Sequence, residues 1–377
     1  MKIGIITFHR AWNYGAKLQA YALQKRLNDE YDATILDYRC ERIERQYYSR
    51  PTGMLVPLKN IAKWIFRYPS MRVRHLRGVK YKKFDYEYFL TNGKIYSPEN
   101  IETANDDFDA FVAGSDQIWN TDITDKDMNY FLAFAPSHKR FSYAASFGGK
   151  QFDSQERKEI VKYLEKFQSI LVRENTGKDF VNSLDISPRI DVVSDPVFLL
   201  PREEWIADLG LIEKRKEKYI LVYLVAKERN LLALAENEAE KLGCKLYYIN
   251  WNEAISCPSG MKNVGGIGPA EFLQYIYNAE LVLTTSFHAM AFSLIFNRPF
   301  YYELAAQKKN NNSRLLDLAD FFGVSGREIL SSAPRDDVYD VDWKRINASL
   351  QQYASYSIKT LVDSLNNVAE EGDESQS

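Results

Sequence analysis

Short, nearly uninterrupted apolar runs recur along this chain, and polar residues follow each of them. The first run covers residues 2–8, a segment with apolar residues near helical spacing covers 14–28, and a second run covers 33–38. Strands that are buried on both faces have this composition, and a connecting segment of this length allows a helical crossover between parallel strands. These residues therefore predict a Rossmann-like βαβ unit, although they contain no GxGxxG pattern.

The same alternation continues over most of the chain. Further strands are predicted at 108–113, 141–145, 170–172, 219–225, 245–249, 280–284 and 299–303. Helices are predicted over 231–242, 269–278 and 288–296. In open parallel sheets, ligands bind at the carboxyl ends of the strands. We expect an α/β fold of two Rossmann-like, doubly wound domains that face a cleft, with polar loops at the ligand edges.

Two prolines around an apolar segment mark the predicted boundary between the domains, at 194–201. The predicted segments are an N-terminal domain over 1–195 with a basic, aromatic insertion at about 39–100, a C-terminal domain over 196–342, a helix over 343–366 that crosses back, and an acidic tail over 367–377. The tail is expected to be disordered because it is polar and terminal.

The composition is that of a globular protein, and it excludes several other classes. Hydrophobic residues make up 45% of the 377 residues, and the formal net charge of −2 gives the whole chain no electrostatic preference for nucleic acid. Cys40, Cys244 and Cys257 form no CxxC pair, and no other metal-site motif occurs, so we expect no metal. No apolar run has the length of a membrane span, and the first residues do not resemble a signal peptide. We therefore expect a cytoplasmic protein.

Charge is concentrated in one region of the chain. Residues 39–83 contain 13 Lys or Arg against two acids, a local charge of +11, whereas the remaining residues carry −13. Within this region Ile61, Trp64 and Ile65 recur at helical spacing among basic residues, a pattern typical of helices at a membrane surface. One hypothesis is that residues 55–83 bind anionic lipid headgroups at the inner face of the membrane, or a lipid-diphosphate acceptor. The other is a solvated helix that packs across the first domain. Nucleic acid is not an expected partner, because no nucleic-acid motif accompanies the patch.

Two predicted loops at a ligand edge carry polar candidates in the first domain. These candidates are Asn13, Tyr14, Gly15, Ser115, Asp116 and Gln117. The first three join a strand to a helix, where backbone N–H groups and the helix dipole favour anions. Alternatively, Asn13 serves only as the helix N-cap. Asp116 is a candidate base or substrate contact, and the alternative is that it caps a turn.

Basic side chains form a second group of candidates. Arg173 follows the strand at 170–172, where a guanidinium would bind phosphate or carboxylate, unless it pairs with an acid such as Glu174. His288 lies near a predicted helix N-terminus, and the alternative is a packed, hydrogen-bonded histidine. Lys308 and Arg314 border a polar loop that would clamp an anion or would simply be exposed to solvent.

Several segments together resemble the polysaccharide pyruvyl transferase family. The matching segments are NYGAKLQAYAL at 13–23, FVAGSDQIWN at 111–120, YAASFG at 143–148, VRE at 172–174, DPVFLL at 195–200 and TTSFHAMAFSLIFNRPF at 284–300. The resemblance covers residues 1 to about 320, apart from 39–100. It implies two paired Rossmann-like domains similar to those of two-domain, GT-B-like glycosyltransferases.

The resemblance also implies a transferase that takes the enolpyruvyl group of phosphoenolpyruvate and builds a pyruvate ketal on a sugar of a surface polysaccharide or glycolipid precursor. Phosphoenolpyruvate would be the donor substrate, without a cofactor; the C-terminal domain would take the donor and the N-terminal domain the acceptor, which could be lipid-linked. By motif match, Arg173 and His288 fall on donor-binding and catalytic positions, and Lys308 on a phosphate-binding lysine. Ser286 stands where some members have arginine. Carboxylate binding would then pass to Ser286, Arg314 or a helix N-terminus.

The chemistry of phosphoenolpyruvate fits these residue types. Its phosphate and carboxylate require cations, and its methylene carbon requires an acid. We expect protonated His288 to protonate C3, Arg173 and Lys308 to hold the phosphate, and Asp116 to act as base or acceptor contact. Two other classes stay open. One is a nucleotide-sugar glycosyltransferase with a diphosphate at Gly265–Gly268, and the other is a non-catalytic carbohydrate-binding protein.

Overall fold

The computed structural model of the protein describes residues 1–47, 61–213, 217–225, 230–250, 257–305, 312–330 and 337–374, with the helical backbone alone for 61–72 and 367–374. Contacts between residues divide the chain into two compact units. Unit 1 comprises Met1–Tyr48, Tyr88–Leu200 and Ala348–Ser377, and unit 2 comprises Ser49–Glu87 and Pro201–Asn347.

Strands and helices alternate along the chain. The strands are β1 (Lys2–Ile6), β2 (Asp32–Ile35), β3 (Asp37–Tyr38), β4 (Ile95–Tyr96), β5 (Ala110–Ala113), β6 (Arg140–Ser142), β7 (Ser169–Val172), β8 (Arg189–Val192), β9 (Tyr219–Tyr223), β10 (Lys245–Tyr248), β11 (Lys262–Asn263), β12 (Leu281–Thr284) and β13 (Phe300–Tyr302). The helices are α1 (Tyr14–Leu27), α2 (Glu41–Tyr47), α3 (Ile61–Tyr88), α4 (Thr121–Thr124), α5 (Ser154–Leu164), α6 (Asn175–Asn182), α7 (Arg202–Asp208), α8 (Asn230–Leu242), α9 (Pro269–Tyr277), α10 (Phe287–Ile295), α11 (Ser313–Phe322) and α12 (Trp343–Glu374).

Unit 1 is built on a six-stranded parallel sheet with the order β2-β1-β5-β6-β7-β8. Helix α1 carries the chain from β1 to β2 on one side of β1, and the chain later reaches β5 on the other side. The strand order therefore reverses between β1 and β5. Ligands of open parallel sheets bind at such a switch point, beyond the carboxyl ends of the strands.

Unit 2 repeats this arrangement with a five-stranded parallel sheet of order β11-β10-β9-β12-β13. The chain runs from β9 outward to β10 and β11, and then crosses to β12 and β13 on the other side of β9. Its switch point lies between β9 and β12. Each unit therefore has one ligand edge that its topology singles out.

An aromatic core supports the sheet of unit 1. Trp119 is fully buried and stacks on Phe131 with ring centroids 5.5 Å apart, and its indole N–H donates to the carbonyl of Tyr130 at 3.0 Å. Such ring pairs add about 0.5–1.5 kcal/mol beyond the burial of their area. Phe8 and Ala11, in the loop after β1, belong to the same cluster. The core therefore reaches the loop at the switch point.

The predicted strands and helices named above are all present, with bounds that differ by a few residues. Strands β4, β8 and β11 are not among the predicted strands. Both β4 and β11 have two residues, β8 is half-exposed and β11 is exposed. Short, half-polar strands have no continuous apolar run in their sequence, because one side of each is exposed to water.

Two segments differ from their predicted places. Residues 49–87 of the insertion belong by contact to unit 2 and not to the N-terminal half, because α3 packs on this unit: Lys80 pairs with Glu271 at 2.8 Å. Helix α12 continues to Glu374, into the segment predicted to be a disordered tail. Ala369, Glu370 and Glu371 have high helix propensity, and adding residues to an existing helix avoids the cost of nucleation.

Candidate functional site

A cavity of about 340 Å³ lies at the switch point of the unit 1 sheet. Its walls come from the loop after β1, the start of α1, helix α2, the loop after β5 and helix α4. The polar lining includes Asn13, Arg42, Tyr47, Asp116, Gln117 and Asp122. The structure therefore brings three of the predicted residues, Asn13, Asp116 and Gln117, to one cavity.

Close backbone packing fixes the loop after β5. A Cβ atom on Gly114 would come within 1.9 Å of the carbonyl oxygen of Tyr143, so this position requires glycine. Asp116 has a φ of 78°, in the left-handed region that aspartate tolerates better than most residues. Its carbonyl accepts a hydrogen bond of 2.9 Å from the N–H of Ser146. The backbone thereby holds the Asp116 side chain at the cavity.

The Asp116 carboxylate also contacts a buried arginine. Arg173 follows β7, and its side chain is only 2% exposed. Its guanidinium nitrogens lie 2.8 Å from Asp195, 3.5 Å from Asp116 and 3.5 Å from Glu174, measured to the carboxylate oxygens. The hydroxyl of Ser146 donates to the other oxygen of Glu174 at 2.5 Å. Arg173 is therefore the centre of a network of three acids.

The three acids keep the guanidinium of Arg173 charged and already ion-paired. Burial lowers the pKa of the guanidinium, but the charges of Asp195, Asp116 and Glu174 outweigh burial, and the net shift of the pKa is upward. A phosphate at this guanidinium would have to displace a carboxylate. The geometry therefore matches the ion-pair alternative that the sequence raised, and it does not favour an open anion anchor.

The start of α1 provides part of the cavity wall. The side-chain oxygen of Asn13 accepts a hydrogen bond of 3.2 Å from the N–H of Ala16, so Asn13 is the N-cap and also a lining residue. Tyr14 and Gly15 are buried in the first turn. The contribution of α1 to this edge is therefore the cap and the positive end of the helix dipole.

Ser115 and Gln117 flank Asp116 but point to different surroundings. Ser115 is fully buried, and its hydroxyl donates to the side-chain oxygen of Gln19 in α1. Gln117 lines the cavity and fills the space beside Gly148, where a Cβ atom would come within 2.3 Å of it. Gln117 therefore stays a candidate binding residue at the cavity, whereas Ser115 joins the loop to α1.

Helix α2 forms a wall of the cavity that the sequence analysis did not single out. Arg42, Gln46 and Tyr47 line the cavity from this helix. Glu44 of the same helix forms two hydrogen bonds with the guanidinium of Arg10, in the loop after β1. One signal for this wall was visible in the sequence, because α2 directly follows β3. The region that contains α2 was interpreted only through its positive charge.

A second ion-pair network lies beside α2. Asp37 of β3 contacts Arg10 at 3.2 Å, and His9 and Arg39 at 3.5 Å each. Burial raises the pKa of Asp37, but the hydrogen bond and charge of His9, with the charges of Arg10 and Arg39, lower it to about 2. Because Arg10 also binds Glu44, one arginine joins β3, α2 and the loop after β1.

The switch point of unit 2 carries different groups. Strand β12 ends at Thr284, and α10 begins at Phe287 with Ser286 as its N-cap. The Ser286 oxygen accepts a hydrogen bond of 3.5 Å from the N–H of Ala289. His288 is the second residue of α10 and is 9% exposed. Both predicted residues therefore lie at the positive end of a helix dipole, where anions are favoured.

Hydrogen bonds between β9 and β12 hold this turn. The hydroxyl of Thr284 donates to the carbonyl of Tyr223 at 2.7 Å, and the same oxygen accepts from the N–H of Ser286 at 3.0 Å. The hydroxyl of Thr285 accepts from the N–H of Val225 at 2.9 Å. The threonines of the TTSFH segment therefore serve to orient the start of α10.

Arg314 approaches the same turn through an aromatic ring. Its guanidinium carbon lies 5.8 Å from the ring centroid of Phe287, and the ring of His288 meets that centroid edge-on at 5.2 Å. Arg314 lies in the first turn of α11 and is half-buried. Phe287 was not predicted as a site residue, although it stands inside the segment that carries the family resemblance.

Lys308 lies outside the described residues. The residues on either side of 306–311 are joined, because the side-chain amide of Asn312 accepts from the N–H of Ala305 at 3.1 Å and donates to its carbonyl at 3.0 Å. Three consecutive asparagines at 310–312 are visible in the sequence, but the sequence does not show which of them pairs with Ala305.

Within the described ranges, no three His, Cys, Asp or Glu side chains are grouped so as to hold a metal ion. In that part of the chain no helix combines the length and apolar character needed to cross a membrane.

The family model of polysaccharide pyruvyl transferase matches residues 13–302, which is more than three quarters of the chain. The chain belongs to this family. The predicted family is thereby confirmed, and the match includes residues 39–100, which the resemblance had left out. No curated protein sequence matches the chain.

Solved structures with a similar fold come from distant proteins. A protein described as a UDP-N-acetylglucosamine 2-epimerase, from Listeria monocytogenes, has 12% identity and a TM-score of 0.51, over 98% of this chain and 97% of that one. The UDP-N-acetylglucosamine 2-epimerase of Rickettsia bellii has 10% identity and a TM-score of 0.49, with the same coverage. Arabidopsis thaliana UGT89C1 has 12% identity and a TM-score of 0.42, over 98% of each chain. The predicted class, an α/β fold of the GT-B type, is confirmed.

Proposed function

We propose that this family member transfers the carbon skeleton of phosphoenolpyruvate to two hydroxyls of one sugar, forming a pyruvate ketal in a surface polysaccharide or glycolipid precursor. The observation that carries the proposal is the position of His288 in the first turn of α10, at the switch point of the unit 2 sheet. The backbone N–H groups of a helix N-terminus bind an anion, and an acidic side chain in the first turn is close enough to donate a proton to that anion.

The donor belongs, in this proposal, to the unit 2 edge. Phosphoenolpyruvate carries a carboxylate and a phosphate, which need separate partners. The Ser286 hydroxyl and the N-terminus of α10 would receive the carboxylate, and Arg314 with Lys308 would receive the phosphate.

The acceptor belongs to the unit 1 cavity. Its volume of about 340 Å³ is within the ~300–1,000 Å³ typical of small-molecule sites. Amide, phenol, guanidinium and carboxylate groups line it, and these exchange hydrogen bonds with sugar hydroxyls. Asp116 is the proposed base for one hydroxyl, and Arg173 acts through it as a positioning residue.

The proposed reaction has an addition step and a displacement step. His288 gives its proton to C3 of phosphoenolpyruvate, and the first sugar hydroxyl adds to the cationic C2 while its proton passes to the protein. The second hydroxyl then attacks C2, and the bond between C2 and the phosphate oxygen breaks. One hydroxyl proton ends on the new methyl group, by way of the protein, and the other leaves with phosphate.

The nucleotide-sugar alternative has weaker support. A Cβ atom on Gly266 would come within 3.3 Å of Val73, and one on Gly268 within 3.0 Å of Lys80, both in α3. The N–H of Gly268 donates to Glu271 at 2.9 Å. The glycine loop 265–268 is therefore used in packing against α3, and no observation favours a diphosphate there.

Calorimetric titration tests the donor first, because it requires no acceptor. Phosphoenolpyruvate is titrated into the wild type and into Arg314→Ala, with Arg189→Ala as the control; the control removes an arginine of unit 1 whose side chain is 56% exposed. We expect binding to weaken about tenfold in Arg314→Ala and to stay unchanged in Arg189→Ala.

A panel of sugar glycosides then tests turnover by phosphate release and by mass spectrometry of the acceptor. A ketal product with release of phosphate supports the proposal. Binding of UDP-sugars in place of phosphoenolpyruvate, alone or with the panel, would replace it with the glycosyltransferase. Binding of a glycoside without phosphate release would replace it with the non-catalytic carbohydrate-binding protein.

A further inference from the structure

The second half of α3 exposes a stripe of apolar and basic side chains, which we call the α3 stripe: Leu76, Val79, Lys82, Lys83 and Tyr86. Leu76, Val79 and Tyr86 are 45%, 51% and 91% exposed. At 3.6 residues per turn these three lie within an arc of about 80°, with Lys83 among them and Lys82 at the border. Bulky apolar groups therefore share one exposed helix face with lysines.

The opposite face of α3 holds the helix to unit 2. Arg77, Tyr81 and Phe84 are 8%, 1% and 2% exposed. Lys80 lies between the two faces and pairs with Glu271 of α9 at 2.8 Å. Because one face is buried and ion-paired, the α3 stripe is a fixed surface and not a detached helix.

Charge and register continue this pattern along the helix. Helix α3 contains eight Lys or Arg against two acids, inside the region of 39–83 that carries +11. The sequence places Ile61, Ile65 and Tyr68 in the helical register of the stripe. A helix of 28 residues is about 42 Å long. Apolar residues flanked by cations along such a helix are typical of surfaces that lie in the headgroup region of a bilayer.

We propose that the α3 stripe binds the anionic surface of a lipid bilayer. Lysines are attracted to anionic headgroups, and Leu76, Val79 and Tyr86 enter the boundary between headgroups and acyl chains. A nucleic acid would bind the lysines but would leave the apolar side chains exposed to water. The inference does not depend on the proposed function, and it extends the sequence hypothesis for residues 55–83, of which 55–60 lie outside the described residues.

Vesicle co-sedimentation of the full chain tests this proposal. The vesicles are phosphatidylcholine alone or with about one third phosphatidylglycerol. We expect the wild type to sediment only with the anionic vesicles, and binding to weaken as salt is added. Lys82→Glu with Lys83→Glu, and separately Leu76→Ser with Val79→Ser, should each lower the bound fraction about tenfold or more.

The matched control is Lys158→Glu with Lys344→Glu, which makes the same change in net charge at two exposed lysines outside α3. We expect this control to bind vesicles nearly as the wild type does, and all variants to keep the wild-type circular dichroism spectrum. An equal loss of vesicle binding in the control would show that only the net charge matters, and it would overturn the proposal. Failure of the wild type to bind anionic vesicles would also overturn it and leave a protein partner for this face.

Discussion

The ligand edges of the two sheets share a topology but carry different chemistry. At the edge of unit 1, Arg173 is surrounded by three acids, and the adjacent cavity is lined by amide, phenol, guanidinium and carboxylate groups. At the edge of unit 2, His288, Ser286 and Arg314 lie around a helix N-terminus. The fold decides where a ligand can bind, and the residues at that place decide which ligand it is.

The two edges also differ in how their side chains are held. Buried ion pairs hold the groups of unit 1, whereas a helix cap, a ring contact and backbone hydrogen bonds hold those of unit 2. Removing a charge in unit 1 should therefore lower the stability of the fold. Removing a polar group in unit 2 should leave the fold intact and change the reaction.

His288→Ala makes the strongest test of the unit 2 edge. We expect kcat to fall about 10²- to 10⁴-fold, because the general acid is lost. The dissociation constant for phosphoenolpyruvate should change little, since the phosphate keeps its cations. The rate of phosphate release with an active acceptor measures kcat, and calorimetry measures binding.

His138→Ala is the matched control, because His138 is an exposed histidine in unit 1. It should keep full activity. A fully active His288→Ala would end the assignment of the acid, and loss of donor binding in this variant would make His288 a binding residue instead.

Substitutions of Arg173 test how strongly its ion pairs stabilise the unit 1 edge. We expect Arg173→Met to lower the free energy of unfolding by about 3–5 kcal/mol, because the substitution leaves three carboxylates buried without their cation. Arg173→Lys keeps the charge and should lose less. Chemical denaturation measures both. A variant as stable as the wild type that no longer binds phosphoenolpyruvate would instead support the donor role that the family match implies for Arg173.

The fold could be predicted from sequence because its strands are buried on both faces. Runs such as 110–113 and 281–284 are fully buried and apolar, so their composition reports their place in the sheet. The partner of α3 could not be predicted in this way. Its amphipathic pattern gives the face that is buried, but the pattern does not say which unit covers that face.

The candidate site was predictable to a smaller degree. Asp116 and Arg173 follow predicted strands of one sheet and His288 follows a predicted strand of the other, and the strand ends of each parallel sheet meet at one edge. Their partners are far away in the sequence: Arg173 contacts Asp116 and Asp195, and the cavity wall comes from α2. Spacing along the chain cannot show that an arginine is already paired, because pairing depends on the tertiary contacts.

The pH dependence of stability in Asp37→Asn tests the ion pairs beside the unit 1 cavity. Its pKa is lowered from 3.8 to about 2 in the folded chain, so its contribution to stability is present above pH 3.8 and is lost as the pH falls through about 2. The shift corresponds to about 2 kcal/mol. We expect the free energy of unfolding to differ by this amount between wild type and Asp37→Asn at pH 6, and to converge toward pH 2. A difference that does not change with pH would show that the carboxylate charge is not what stabilises α2 and β3.

Tyr47→Ala makes the smallest expected change, and it tests whether the unit 1 cavity takes the acceptor. Tyr47 lines the cavity from α2, and the loss of a phenol that contacts a sugar should raise the KM for the acceptor about tenfold. The dissociation constant for phosphoenolpyruvate should stay unchanged, because the donor is assigned to the other edge. Tyr356→Ala is the control, since Tyr356 is 48% exposed and does not line the cavity. An unchanged acceptor KM in Tyr47→Ala would remove the acceptor from this cavity, and a weaker affinity for phosphoenolpyruvate would show that Tyr47 also affects donor binding.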